Sequence, residues 1–190
     1  MASLPVHGAQ PPSAWVLRFG ALLAPGSQAL DLACGLGRHA RWLARRGHAV
    51  LAVDRDAACG AALDDQAGVR FLQADLEAAP WPLAGQRFDA IVVTQYLHRP
   101  LLPLIVAALA PGGLLIYETF AQGNERYGRP ANPDFLLAPG ELLAACAGLH
   151  VLAYEDGVLG APRPARVQRI AARSAPLADE ALQLDAGAAV

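Results

Sequence analysis

The chain has 190 residues, 54% of them hydrophobic, and a formal net charge of −2, which suits one well-cored domain and leaves too little length for two comfortable ones. All 15 of its Lys+Arg residues are arginine; this excludes Schiff-base and lysine-base chemistry and, with the slightly acidic balance, argues against duplex nucleic acid as a partner. Cys34, Cys59 and Cys146 stand far apart with no CxxC and no paired histidine, so neither a metal site nor a disulfide framework is expected, and a reducing, cytoplasmic setting is.

No cationic start followed by an apolar stretch opens the chain, so no export signal is expected. The most apolar stretch, Leu101 to Tyr117, is cut by Pro103 and by Pro111-Gly112-Gly113, which argues against a membrane span. The first dozen residues, with Pro5, Gly8, Pro11 and Pro12, read as irregular. Ser13 then caps a helix whose apolar positions Trp15, Val16, Phe19, Leu22 and Leu23 fall at helical spacing, with Pro25-Gly26 as its stop. Such a lead helix either covers a ligand site or, in its plainer role, packs against a sheet.

The run from Ala29 to Asp54 is the organising unit. It reads as a buried strand ending in Asp31, a glycine turn Ala33-Cys34-Gly35-Leu36-Gly37, a helix from Arg38 to Arg46, and a second strand ending in Asp54. Gly35 and Gly37 let the chain turn tightly and let a ligand lie against the backbone, while the helix that follows offers unpaired N–H groups. Asp54, 17 residues past Gly37, is placed to accept hydrogen bonds from a ribose diol. The turn also satisfies GxGxxA, the pyrophosphate cradle of NAD enzymes. Asp31, four residues before Gly35, repels a diphosphate and tolerates an ammonium or sulfonium ligand, so a cationic ligand is preferred. Leu36, Ala40, Leu43 and Gly47 are expected on the buried face of the helix and Arg38, Arg41 and Arg45 on a solvated one.

Asp56 reads as the N-cap of a short helix to Asp65, and Val69 to Ala74 as a third strand ending at Asp75. Trp81, between Pro80 and Pro82, serves equally well as a lid over a ligand or as a hydrophobic plug. Phe88 to Thr94 is a near-continuous apolar run, as in a strand of a parallel sheet covered on both faces. Its exit, Gln95-Tyr96-Leu97-His98, falls at the carboxyl edge where open α/β sheets bind ligands. A helix from Pro100 to Ala110, the turn Pro111-Gly112-Gly113 and a fifth strand Leu114 to Glu118 follow. Thr119 to Ala138 is a long polar insertion beside that edge, carrying Phe120, Asn124, Glu125, Arg126, Tyr127, Arg129 and Asn132, and such insertions are commonly functional. Pro139 to Ala147 is a helix closed by Gly148, and Val151 to Tyr154 and Arg166 to Ala171 are two last strands. The tail from Ser174 has little to bury and is expected to fray.

Four linked motifs between Ala29 and Thr119 resemble the class I S-adenosylmethionine-dependent methyltransferases. The family's acid-x-Gly-x-Gly-x-Gly stands here as Asp31-Leu32-Ala33-Cys34-Gly35-Leu36-Gly37, with Ala33 in place of the first glycine; the strand-tip acids Asp54 and Asp75 and the Pro-Gly-Gly turn into an apolar strand complete the set. The resemblance implies a doubly wound, mostly parallel α/β sheet of seven strands with helices on both faces and the last strand antiparallel. It implies S-adenosyl-L-methionine as cofactor, with Asp31, Ala33, Gly35 and Gly37 at its methionine part, Asp54 at its ribose, Asp75 at the adenine amino group, and Gln95 at the same edge. A small-molecule acceptor is expected, as in methyltransferases of the tellurite-resistance and thiopurine type. No Asn-Pro-Pro-Tyr motif follows the fourth strand, where Thr94-Gln95-Tyr96-Leu97 stands instead, against amino-nitrogen methylation of nucleobases or glutamine.

His98, an imidazole on a ligand-edge loop, is the first candidate for a catalytic base, and Glu118 at the neighbouring exit for holding the substrate. Tyr96, Arg126, Tyr127 and Arg129 are candidate acceptor contacts, and Arg99, Arg126 and Arg129 favour an anionic acceptor. His7, His39, His48 and His150 lack partner spacing and read as structural or exposed. Two other classes share parts of the pattern. An NAD-dependent oxidoreductase has the same turn and Asp54 but gives no task to Asp31 and Asp75; a catalytically silent binding protein keeps the core and loses the cofactor.

Overall fold

The computed structural model describes residues 10–78 and 80–177. The expected irregular start and fraying tail therefore fall largely outside the described residues. Seven strands, β1 Gln28–Leu32, β2 Ala49–Asp54, β3 Val69–Gln73, β4 Phe88–Thr94, β5 Leu109–Phe120, β6 His150–Leu159 and β7 Ala165–Arg173, form one sheet in the order β3-β2-β1-β4-β5-β7-β6. β1 to β5 are mutually parallel, and β7 runs antiparallel to both β5 and β6. The chain order turns outward on both sides of the β1/β4 pair, which is where an open α/β sheet leaves a crevice beyond its carboxyl ends.

The sheet is apolar on both faces because its strands alternate between two cores. In β1 and β4, Leu30, Leu32, Ile91 and Val93 pack on one side with Ile105 of helix α4 (Leu102–Ala107) and Leu142 of helix α5 (Glu141–Ala145). Ala29, Ala90 and Val92 pack on the other with Trp15, Val16 and Phe19 of α1 (Ala14–Gly20) and with Ala40 and Leu43 of α2 (Arg38–Arg45). The remaining helix, α3, spans Ala57–Ala61.

Helix α1 shows why the lead segment docks. Ser13 caps it, accepting the Trp15 N–H at 3.1 Å, and the buried Trp15 indole donates to the Ile170 carbonyl at 3.1 Å while the Arg169 guanidinium lies 4.5 Å from a Trp15 ring centroid. Truncating Trp15 to alanine would cost about 3–5 kcal/mol. Packing against the sheet is thus what this helix does.

Several element boundaries differ from the sequence expectation. Pro100 and Pro103 lack N–H groups, and each falls where none is needed, Pro100 in a 3-10 turn Arg99–Leu101 and Pro103 in the first turn of α4. The helix is accordingly shorter than the expected Pro100 to Ala110. Pro111-Gly112-Gly113 lies inside β5, where the register shifts from Phe88 opposite Leu109 to Ala90 opposite Leu114; with Gly112 at φ 74°, the expected turn interrupts the pairing within the strand instead of preceding it. Arg38 and Arg41 are half-buried and only Arg45 is exposed; the Arg41 guanidinium donates to the carbonyls of Leu36 and Ala62, so the face expected to be solvated ties the glycine turn to the segment after α3. Gly47, expected to be buried, is exposed. Ser174 is held rather than frayed: its N–H donates to Gly113 O at 3.0 Å and its hydroxyl accepts the Gly113 N–H at 3.0 Å. All three cysteines are free and buried. No helix among the described residues is long and apolar enough to cross a membrane, and no group of metal-ligating side chains is found among them.

Candidate active site

The carboxyl ends of β1, β2 and β3 build the site. The chain leaves β1 at Leu32 and turns through three residues in the left-handed region, Ala33 at φ 53°, Gly35 at φ 54° and Gly37 at φ 76°. A side chain at such angles costs about 1–2 kcal/mol, so Ala33 is strained where the related family places glycine. The two glycines differ in what they face. A methyl on Gly35 would meet nothing within 4 Å, whereas one on Gly37 would lie 2.4 Å from the Leu63 side chain. Gly37, expected at the ligand, is instead buried against Leu63 and caps α2, leaving Gly35 as the open part of the turn.

Asp31 sits beneath this turn, 1% exposed, and accepts the Ala40 N–H at 2.9 Å. Burial pushes its carboxyl up from an ordinary 3.8 to about 7, against the pull of the Ala40 N–H and the Arg38 guanidinium. It fastens the first strand to the following helix and is not among the residues lining the cavity described next. Burial also lowers Arg38, whose charge faces Glu118 and Asp31, and raises the neighbouring Cys34 thiol, which stays protonated and inert.

Beside the turn lies a cavity of about 310 Å3 lined by Ala33, Asp54, Arg55, Ala74, Asp75, Leu76, Glu77, Tyr96 and Phe135. The two expected strand-tip acids thus meet in one space. Asp54 accepts the Gly35 N–H at 2.9 Å and the Asp56 N–H at 3.0 Å; Asp75 accepts the N–H groups of Glu77 at 2.9 Å and Ala78 at 3.2 Å through a single oxygen. Each carboxylate is fixed by backbone donors and keeps lone pairs for a ligand. Tyr96 forms part of the wall, and its buried hydroxyl has no hydrogen-bond partner among the described residues. Burial first, and then the Glu77 carboxylate nearby, hold that phenol well above its ordinary range. Trp81 packs on the hydrophobic core instead of lining the cavity, so it is a plug.

The remaining candidates are distributed differently from the expectation. Gln95 is exposed, outside the cavity lining, and held at φ 56° at the exit of β4. With Ala33 it makes two strained non-glycine residues at the ends of the adjacent strands β1 and β4, the kind of place where strain marks a site. His98 is half-buried and also outside the lining. Arg126, Tyr127 and Arg129 are exposed and none lines the cavity; the insertion supplies Phe135 instead. Arg99 is not free to meet an anion, because its guanidinium grips Glu141 and the carbonyls of Asp134 and Leu136.

Glu118 belongs to a buried polar group on the other side of the turn. It accepts the Ser13 hydroxyl at 2.9 Å and lies 3.4 Å from the Arg169 guanidinium. His39 accepts the Ser13 N–H on Nε2 at 3.2 Å, which leaves Nδ1 to donate to the Thr94 hydroxyl 3.4 Å away. Burial, with the Arg38 charge, drops His39 to about 3, so it is a neutral, structural imidazole.

Sequence reasoning missed Arg55, Ala74, Leu76, Glu77 and Phe135. The first four directly follow or flank strand-tip acids and are found by extending the same edge rule one or two residues; Phe135 follows Asn132-Pro133, a turn signal within the insertion.

The cavity's chemistry fits a nucleoside. Two carboxylates with spare acceptors suit a ribose diol and an exocyclic amine, and the orphaned Tyr96 hydroxyl supplies one further polar group. Asp54, Asp75 and Glu77 against Arg55 alone make it a poor cradle for a diphosphate.

Residues 29–113 match the family described as methyltransferase domain. An uncharacterized methyltransferase of Mycobacterium tuberculosis is 38% identical over 117 residues, covering 57% of this chain and 58% of that protein. Trans-aconitate 2-methyltransferase of Paracidovorax citrulli is 37% identical over 102 residues, 49% of this chain and 38% of that protein. The chain thus spans little more than half the length of these relatives or less. Among solved structures, TehB from Haemophilus influenzae superposes with a TM-score of 0.75 at 20% identity, covering 89% of this chain and 64% of that one. The N-methyltransferase NodS from Bradyrhizobium japonicum superposes with a TM-score of 0.65 at 18% identity over 85% and 93%, and at such identities the likeness is one of fold. Residues 29–113 are thus a methyltransferase domain, and the glycine turn, the two strand-tip acids and the sheet order agree with the fold of the class I S-adenosylmethionine-dependent methyltransferases.

Proposed function

We propose that the protein transfers a methyl group from S-adenosylmethionine to a small-molecule acceptor. The observation that carries this reading is the convergence of Asp54 and Asp75 with the strained Ala33 turn on one cavity of about 310 Å3. Asp54 holds the ribose diol, Asp75 the adenine amino group, and the backbone around Ala33 and Gly35 the methionine part. The bound cofactor supplies a methyl group already activated by its sulfonium. The chain's own residues then have mainly to position the acceptor and exclude water, which supplies most of the acceleration in such a displacement. The acidic lining disfavours the rival NAD-dependent reading.

The acceptor is proposed to approach from the Glu118 side, past the ends of β4 and β5, with His98 as the base for a neutral acceptor, Arg126, Tyr127 and Arg129 as outer contacts, and Tyr96, in the cavity wall, between cofactor and acceptor. The absence of lysine and the net charge of −2 support a small molecule over nucleic acid, and the relative named for trans-aconitate supports an anionic one. Three free, buried cysteines suit a reducing, cytoplasmic setting.

A thermal-shift comparison tests the reading. S-adenosylhomocysteine should raise the melting temperature while NAD and NADP do not, since a ligand that binds only the folded state stabilises it by mass action. The reverse ranking would sink the proposal, and no response to any of the three would favour a silent binding protein. Incubating methyl-labelled cofactor with fractionated metabolites then identifies the acceptor.

A further inference from the structure

We infer that Phe135 is the outer wall of the nucleoside cavity and that Arg99 is a positioning residue acting through it, so that one end of the insertion serves the cofactor and not the acceptor. The inference rests on the methyltransferase reading above. Phe135 ends a 3-10 turn, Pro133–Phe135, and is 48% exposed although it lines the cavity. An aromatic ring that faces a cavity without being packed by the protein is available to a planar ligand.

The backbone carrying this ring is held tightly. Arg99 donates through Nε to Glu141 Oε1 at 2.6 Å and through Nη2 to Oε2 at 3.0 Å. The same guanidinium donates through Nη1 to the Asp134 carbonyl at 2.7 Å and through Nη2 to the Leu136 carbonyl at 2.9 Å. Those two carbonyls bracket Phe135. The turn is further closed by Asn132, whose side chain accepts the Asp134 N–H at 3.1 Å and whose carbonyl accepts the Phe135 N–H at 3.0 Å, and it continues into the buried pair Leu136 and Leu137. A loose side chain on a fixed backbone is a preorganised contact: ordering the ring alone, and not the loop, is what binding has to accomplish. Only arginine provides a planar fork that grips a carboxylate and two carbonyls together.

The neighbours of Phe135 in the cavity decide which ligand it meets. Most come from the ends of β2 and β3, Asp54, Arg55, Ala74, Asp75, Leu76 and Glu77, joined by Ala33 after β1 and Tyr96 after β4, and on the methyltransferase reading the two acids among them read the ribose and the purine. Glu118, His98 and the exposed Arg126 and Arg129 are absent from that lining.

Titration calorimetry with S-adenosylhomocysteine and with methylthioadenosine, which keeps the nucleoside and lacks the amino-acid arm, tests the inference. If the wild type binds neither probe, the methyltransferase reading itself falls. Given wild-type binding, Phe135→Ala should weaken both probes by a similar factor of about ten, the scale of base–aromatic stacking, and Phe135→Trp should restore binding. Unchanged affinity, or loss confined to S-adenosylhomocysteine, overturns the inference. Arg99→Lys, which keeps the ion pair and loses the bracket, should weaken both probes less than Phe135→Ala and add nothing in the Phe135→Ala background; additive effects overturn the positioning role. Because Phe135 is half exposed, the Phe135 variants are expected to melt as the wild type does.

Discussion

The carboxylate of Asp54 accepts the N–H of Gly35 at 2.9 Å across 19 residues of sequence. The acid at the tip of β2 and the turn after β1 are therefore a single unit. Asp54→Ala is expected to weaken S-adenosylhomocysteine binding by about 1.5–3 kcal/mol, the order for charge-assisted hydrogen bonds to a diol, and to lower stability by about 1–2 kcal/mol because the Gly35 and Asp56 N–H groups lose their acceptor. Calorimetry and denaturant melts measure the two separately. Lost stability with intact affinity would assign Asp54 to the turn alone.

The two glycines of the turn should respond to different degrees. Gly37→Ala places a methyl 2.4 Å from Leu63 in a left-handed residue, and should cost about 2–4 kcal/mol of stability. Gly35→Ala meets open space and should cost only about 1–2 kcal/mol, its main effect being weaker cofactor binding. Equal melting temperatures for the two variants would show that the Leu63 contact does not govern Gly37.

Ala33 carries a side chain at φ 53°. Replacing it by glycine relieves about 1–2 kcal/mol of backbone strain and gives back part of that through the freer unfolded chain. A net stabilisation of about 0.5–1 kcal/mol is expected in urea melts; a destabilised Ala33→Gly would mean that the methyl group itself packs usefully.

Two buried groups set opposing pH dependences. Asp31 is raised from 3.8 to about 7, so between those values the folded state holds a proton that the unfolded state has released, and stability falls as pH rises. His39 is lowered from 6.5 to about 3; in that window the unfolded state takes up the proton, and stability falls as pH drops. Each slope approaches about 1.4 kcal/mol per pH unit, and they oppose one another where the windows overlap. Relative to wild type, Asp31→Asn should therefore become more stable as pH is raised towards 7, and His39→Gln more stable as pH is lowered from 6.5. Chemical melts across this range check both, and parallel wild-type and variant curves would refute the assignment.

What the sequence determined by itself was everything carried by local pattern. Short, near-continuous apolar runs announced the strands, the spacing of Gly35 and Gly37 announced the turn, and the acids Asp54 and Asp75 marked the strand ends, because each signal lies within a few residues of its consequence. The tertiary structure alone decided what lies opposite what. Gly37 became a packing residue only because Leu63 approaches it, and Arg38 and Arg41 were drawn off the solvated face by partners outside their helix. The Pro111-Gly112-Gly113 turn came to lie within β5 because β4 pairs on both sides of it. Ser13 meets Glu118 across 105 positions, and Phe135, not Arg126 or Tyr127, lines the cavity, on a backbone whose Asp134 and Leu136 carbonyls are held by Arg99, 36 residues before Phe135 in sequence. Burial and convergence are properties of neighbours brought together by folding, and periodicity along the chain does not encode which neighbours those will be.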